Sequence, residues 1–236
     1  MKHWGIAVAL AGMILSGGIL PDKARATASV TVTPLNIGQS FVIDWLDPAS
    51  VTGASANLSA TGIFTVDALS SSTLSLGVTI DNTTTTSFQS SILAMGIQSS
   101  QGASPSLSTS GSVFTKTDTP TKGIFPGGFK NIDACVYAAN NCSGGNINNG
   151  LLSGKNDSFV LDLAFNPSLG SSPSITLSQF AIKFQTQAGS YEFGGTDSPL
   201  SPSPEPASLI LFGSALLALL AFASRKDARL NPDNNK

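Results

Sequence analysis

Side chains able to do chemistry are few in this chain. Its only histidine is His3, and its only thiols are Cys135 and Cys142. Ser-His-Asp and Cys-His sites need an imidazole to take the nucleophile's proton, and His3 lies in a stretch that reads as a removable leader. Glycoside hydrolysis needs only two carboxylates, so it survives that test. Glu192, in Tyr191-Glu192-Phe193, is the one glutamate between Thr27 and Ser203 and sits near a strand end. Asp44 and Asp47 flank Trp45 and could join a sugar or calcium site, but Asp47-Pro48 reads more simply as a strand end and turn. Asp81-Asn82 and Asn156-Asp157 likewise read as turn chemistry first. No phosphate-binding loop, basic-aromatic platform or metal-spaced cluster appears. The expectation is a protein that is not an enzyme, with no cofactor and no metal site.

Six residues separate Cys135 from Cys142, and Ser143-Gly144-Gly145 follows. In an exported protein that spacing points to a disulfide closing a short loop. Free thiols and a metal or redox pair are the rival readings, but zinc wants four Cys, His or carboxylate ligands, and the only histidine, His3, lies in the expected leader. Pairing within one chain or between two chains stays open. Charge is sparse, with 11% of residues Asp, Glu, Lys or Arg. Between Thr27 and Ser203 there are five lysines, no arginine, nine aspartates and one glutamate, so 5 minus 10 gives a net of −5. A surface of that sign without arginine speaks against nucleic acid, whose phosphates demand clustered cations.

The elements that must position these residues have period two. Val30 and Val32; Leu74, Leu76, Val78 and Ile80; and Phe159, Leu161, Leu163 and Phe165 each alternate with small or polar residues. That is the signature of strands with one buried face. Ile175 and Leu177 share one parity while Phe180, Ile182 and Phe184 take the other, so a β-bulge or sheet switch is expected at Ser178-Gln179. Further strands are expected over Gln39–Trp45, Ala56–Val66, Ser91–Ile97, Phe129–Tyr137 and Ser190–Phe193. About eight or nine strands parted by Gly, Ser, Asn and Pro predict a mostly β, single antiparallel β-sandwich or jelly-roll-like domain. Gln98 to Lys122 is polar and low in complexity, and reads as a long surface loop or flexible hairpin.

Both ends read as addresses. Residues 1–26 read as a signal peptide: Lys2, the apolar run Ile6 to Leu15, helix-breaking Gly17, Gly18 and Pro21, then the small-x-small site Ala24-Arg25-Ala26. Ala26-Thr27-Ala28 is an alternative cut, and a retained anchor is disfavoured because an apolar run of about ten residues cannot span a bilayer. The β domain is expected over residues 27–197, followed by a proline-rich linker over 198–206. Ala207 to Ser224 then runs without a charge, long enough as a helix to cross about 27 Å. Arg225-Lys226 follows as a stop-transfer signal that keeps residues 225–236 in the cytoplasm and the β domain outside.

Pro204-Glu205-Pro206-Ala207-Ser208, set against that apolar helix and Arg225-Lys226, resembles the PEP-CTERM sorting signal. The resemblance implies recognition by exosortase, a membrane-embedded cysteine protease that removes the anchor in bacteria making exopolysaccharide. The tail from Asp227 to Lys236 is longer than that signal usually carries. The segment Phe129 to Leu151, FKNIDACVYAANNCSGGNINNGL, is similar to the paired-cysteine segment of the cistern family of PEP-CTERM proteins, as are SFVLDLAF, FAIKFQT and GSYEFGG. That resemblance implies surface or matrix placement and no activity. Two functions follow as expectations. One is a structural component of the cell surface or extracellular matrix. The other is a carbohydrate-binding module, for which only Trp45, Tyr137 and Tyr191 offer stacking rings. A plain tail-anchored periplasmic domain is the blander alternative, and the hydroxyl-rich runs Thr83 to Thr86 and Ser99–Ser112 could carry O-linked sugars.

Overall fold

The computed structural model describes residues 28–47, 57–85, 88–120 and 125–201. Within them the chain is mostly β, in two antiparallel sheets. The strands are β1 (Ser29–Val32), β2 (Ser40–Leu46), β3 (Ser59–Leu69), β4 (Thr73–Asn82), β5 (Ser90–Ser99), β6 (Ser104–Thr109), β7 (Lys116–Asp118), β8 (Ala134–Tyr137), β9 (Leu151–Leu152), β10 (Asn156–Ala164), β11 (Ile175–Thr186), β12 (Ser190–Gly194) and β13 (Thr196–Ser201). A seven-stranded sheet has the order β1-β11-β5-β8-β7, with β12 also on β11 and β9 also on β5; a six-stranded sheet has the order β13-β2-β3-β4-β10-β6. For brevity these are sheets A and B.

Both sheets contribute to one apolar core. The inward positions of β2, β4 and β10, and of β3 as far as Val66, alternate with outward ones, which is why those strands are visible in the sequence. Phe41 stacks on Phe64 at 5.1 Å in sheet B, and Phe180 of sheet A meets both rings edge-on. Strand β5 is different. Nearly every one of its residues is buried, on both faces, because the loops around β8 and β9 lie over the outer face of sheet A. A second, smaller core of Ala94, Phe125, Ile132, Cys135, Cys142 and Ala181 fills that space.

The slip expected at Ser178-Gln179 is a β-bulge. The register of β11 against β5 breaks between Ser178 and Ala181, and Gln179 and Phe180 hold positive φ angles of 66° and 34°. β1 pairs with β11 before the bulge and β12 after it. Two non-glycine residues in that region are costly, and their conformation is fixed by its neighbours. Gln179 Nε2 donates to Gln98 Oε1 and to the Lys130 carbonyl, while the Phe180 carbonyl accepts from Gly195 N and from the Trp45 indole.

Two boundaries differ from expectation. The segment Gln98–Lys122 contains strands, with β6 pairing β10 in sheet B and β7 pairing β8 in sheet A. Their side chains are exposed or half-buried throughout, so no apolar alternation marks them and the backbone carries the pairing. The proline-rich stretch begins as strand: β13 runs to Ser201 along β2, with its register broken between Ser198 and Ser201 around Pro199. Proline has no N–H to give a ladder and is tolerated because β13 is an edge. The signal peptide, the sorting motif and the span Ala207–Ser224 lie outside the described residues. Among the described residues no helix is long and apolar enough to cross a membrane.

Candidate functional site

The paired cysteines form a disulfide within the chain, Cys135 to Cys142, with Cα atoms 6.2 Å apart. Cys135 stands on β8 and Cys142 in the loop beyond it, and both are buried in the smaller core. The bond ties the loop 138–150 onto the outer face of sheet A. Beneath the same cover, Glu192 of β12 lies directly across from Lys183 of β11. The two form an ion pair whose side chains are only 14% and 5% exposed. Gly144 and Gly127 sit over this pair so closely that a Cβ on Gly144 would lie 2.8 Å from the lysine stem, and one on Gly127 2.5 Å from the glutamate Cβ. Glu192 is therefore committed to a buried lysine and is not placed as half of a carboxylate pair for sugar hydrolysis.

Asp157 is the second carboxylate with a structural task. It sits inside β10 and is buried, with the same parity as Phe159, and so is not the turn residue the Asn156-Asp157 pair suggests. Its Oδ1 accepts from Ser112 N and Ser112 Oγ, and its Oδ2 from Val113 N and Phe114 N, all within 2.8–2.9 Å. Burial alone would raise its pKa, but these hydrogen bonds outweigh that effect and hold it below the ordinary 3.8. The clamp fixes the turn between β6 and β7 as the chain crosses from sheet B to sheet A, and seats Phe114 against Phe159 at 5.6 Å.

Trp45 is fully buried, and its indole N–H donates to the Phe180 carbonyl at 2.5 Å. It belongs to the core and cannot stack on a sugar. Parity gave the signal, since Phe41, Ile43 and Trp45 share a face. Asp44 points the other way and accepts from Thr61 Oγ1 at 2.9 Å, while Asp47 ends the strand, its N–H bonded to the Leu58 carbonyl. Tyr137 and Tyr191 are half-buried against the cores. The three expected stacking rings are thus not assembled on one surface. Among the described residues no three His, Cys, Asp or Glu side chains are grouped to hold a metal ion.

A groove of about 360 Å³ opens on the outer face of sheet B, lined in part by Ile63, Thr65, Asp67, Thr79, Thr109 and Ser158. Gly77 makes its floor: a Cβ there would stand 3.0 Å from the Asp67 carboxylate that leans across it. Hydroxyls pair along this face, Ser40 with Thr65, Thr79 with Ser158, and Ser75 with Asp162. Nothing in the sequence alone marks the groove, because its residues are scattered over four strands that only the sheet order brings together.

Comparison with protein-family models, with curated proteins and with solved structures finds no match to this chain.

Proposed function

We propose that this chain is an exported structural protein of the cell surface or extracellular matrix, sorted through a C-terminal PEP-CTERM-like signal, and that its two sheets form a β-sandwich. One observation carries the reading: Pro204-Glu205-Pro206-Ala207-Ser208 stands directly before an uncharged 18-residue segment, Ala207 to Ser224, that ends at Arg225-Lys226. An intrachain disulfide supports it, since such bonds persist in oxidising compartments. The tasks of the carboxylates support a non-catalytic role, with Glu192 held by Lys183 and Asp157 by the turn at Ser112–Phe114. On this reading exosortase is the processing partner, the membrane holds the uncut chain, and exopolysaccharide is the setting of the released form.

The groove on sheet B favours a second reading, a carbohydrate-binding surface built from hydroxyls and Asp67 rather than from aromatic rings. The deciding experiment is the intact mass and location of the protein in its own bacterium, with and without exosortase. A cut near Pro204-Glu205-Pro206 that depends on that enzyme is the expected result. Uncut, membrane-bound protein in both strains would leave a plain tail-anchored domain and remove the sorting reading. Thr79→Val with Ser158→Ala separates the second reading, because only sugar binding predicts loss of polysaccharide retention without loss of folding.

A further inference from the structure

A glycine in the middle of a central strand needs a reason. Gly77 faces outward on β4, between Thr65 of β3 and Val160 of β10. Glycine weakens a strand and gives its neighbours no side chain to pack on. Its φ does not lie in the left-handed region, and the three atoms nearest to a Cβ built there all belong to the Asp67 carboxylate, 3.0–3.5 Å away. Asp67 is exposed, so it could swing aside. Neither backbone geometry nor packing therefore demands the glycine. What it does is keep the groove on sheet B open, and a strand glycine of that kind marks close approach of another group.

Two β-bulges bracket that floor. On β3, Val66 pairs with Leu76 and Ala68 with Ser75, so Asp67 is the extra residue. On β6, Thr109 pairs with Val160 and Leu107 with Leu161, so Ser108 is the extra residue. A bulge re-aims the side chains around it. The first turns Asp67 across β4 onto Gly77, and the second sets Thr109 at the far side of Val160. The groove thus crosses the strands instead of following one. Thr65, Gly77, Val160 and Thr109 stand in one row, and Ile63, Thr79 and Ser158 in the next. Three strand spacings part Thr65 from Thr109, about 14 Å, and a volume of about 360 Å³ is that of a small-molecule site.

The chemistry of the lining is one-sided. Thr79 pairs with Ser158 and Thr65 with Ser40 through their hydroxyls, and each pair keeps one hydroxyl hydrogen and spare lone pairs. Among the described residues no donor or cation meets the Asp67 carboxylate. Asp162, held by Ser75, adds a second carboxylate at that end of the face, and no lining residue is Lys or Arg. Donors and positive charge must come with the ligand. Ile63 and Val160 give apolar surface on either side of β4.

From this juxtaposition we infer that the groove is a subsite for a short run of linked hexosamine rings carrying free amines. The inference rests on the carbohydrate-binding reading of sheet B and deepens it by naming the ligand class. The apolar face of a ring lies on the Gly77 backbone between Ile63 and Val160. Its hydroxyls meet the Thr79–Ser158 pair and Thr109, and its ammonium donates to Asp67, a charge-assisted bond. An N-acetylated ring loses that bond, and a uronic acid brings the wrong sign of charge to Asp67.

The test titrates the purified full chain in detergent, by calorimetry at low salt, with a β-1,4-linked glucosamine tetrasaccharide, its fully N-acetylated counterpart and tetralysine. The glucosamine form should bind about three- to tenfold more tightly than the acetylated one, and Asp67→Asn should erase that margin. Gly77→Val should abolish binding of both sugars while melting no lower than the native chain, because valine suits an outward strand position. Asp67 is exposed, so Asp67→Asn carries the test should Gly77→Val fail to fold. Equal binding of the two sugars, with Asp67→Asn silent and Gly77→Val inactive, would overturn the amine subsite and leave the carbohydrate reading standing. Tetralysine binding as tightly as glucosamine would show a groove that reads charge alone, and would overturn it too. If neither sugar binds, or a folded Gly77→Val binds as the native chain does, the carbohydrate reading of this groove fails and the subsite falls with it.

Discussion

Replacing Asp157 tests the account of the β6–β7 crossing. The carboxylate accepts four hydrogen bonds, three from backbone N–H groups and one from Ser112 Oγ. Hydrogen bonds to a charged group contribute about 1.5–3 kcal/mol each, but four sharing one carboxylate are far from additive. Asp157→Ala leaves the N–H groups without an acceptor around a buried site, and a loss of about 3–5 kcal/mol is expected. Asp157→Asn keeps one acceptor oxygen and turns an NH2 toward N–H groups, which costs about 2–3 kcal/mol. In a protein of this size each kcal/mol moves Tm by about 2–4 °C, so Asp157→Ala should melt about 10 °C lower. The pH dependence has a definite sign. The folded pKa is depressed below 3.8, so the unfolded chain takes up the proton first, and the clamp's contribution is full above about pH 4 and fades as pH falls through the folded pKa. Thermal melts of the purified protein between pH 7 and pH 2 should show this loss for the native chain and a shallower acid limb for Asp157→Asn. Equal Tm values at pH 7 for native protein and Asp157→Ala would refute the reasoning.

Three more outcomes follow from the geometry. Reducing Cys135–Cys142, or replacing both cysteines by serine, should cost about 2.5 kcal/mol by loop-closure entropy, read as a lower Tm in reductant. Lys183→Met should destabilise by about 3–5 kcal/mol because it strands Glu192 under the cover, and Lys183→Met with Glu192→Leu should recover most of it, a coupling that a double-mutant cycle in urea measures. Trp45→Phe should lose about 1–2 kcal/mol with the bond to the Phe180 carbonyl, and the native protein's tryptophan emission should stay blue and resist aqueous quenchers.

How much of this was legible depended on whether a strand buries one face. Where it does, as in β2, β4 and β10, the alternation of Phe41, Ile43 and Trp45, or of Phe159, Leu161 and Leu163, gives strand and parity together. The bulge in β11 was legible for the same reason, since Leu177 and Phe180 cannot share a face without one. Strands β6 and β7 were not, because no side chain in them is buried and their pairing rests on backbone groups that any sequence carries. The same parity that marks the core misled at two polar sites only when ignored. Trp45 and Asp157 both sit at inward positions, and an inward aspartate is itself a signal of a buried acceptor. The disulfide was readable from the spacing of Cys135 and Cys142 together with the expectation of export. The groove and the Lys183–Glu192 pair were not, since each exists only through the order of strands distant in the chain.

That order also narrows what polymer the chain could lie against under the proposed matrix role. Loops and the disulfide cover the outer face of sheet A, so the open sheet face belongs to sheet B. The outward positions of β2, β3, β4 and β10 carry Asp44, Asp67, Asp81 and Asp162, and no lysine or arginine. Thr61 and Ser75 hold two of these carboxylates by hydrogen bonds, which fixes their charge in place. By register Asp44 and Asp81 share one end of the face, while Asp67 and Asp162 lie near Ser75, about 20 Å further along β4 and beyond a Debye length at physiological salt, so the face carries two separate acidic patches, each opposing an approaching polyanion. A uronic-acid polymer is therefore repelled from this face, whereas a neutral or amino-sugar polymer meets paired hydroxyls, Ile63 and a negative field of favourable sign. Retention on neutral and amino-sugar matrices, weakening with salt only for the latter, is the expected pattern. Strong retention on an acidic polysaccharide at low salt would show that this face is not the one the matrix meets.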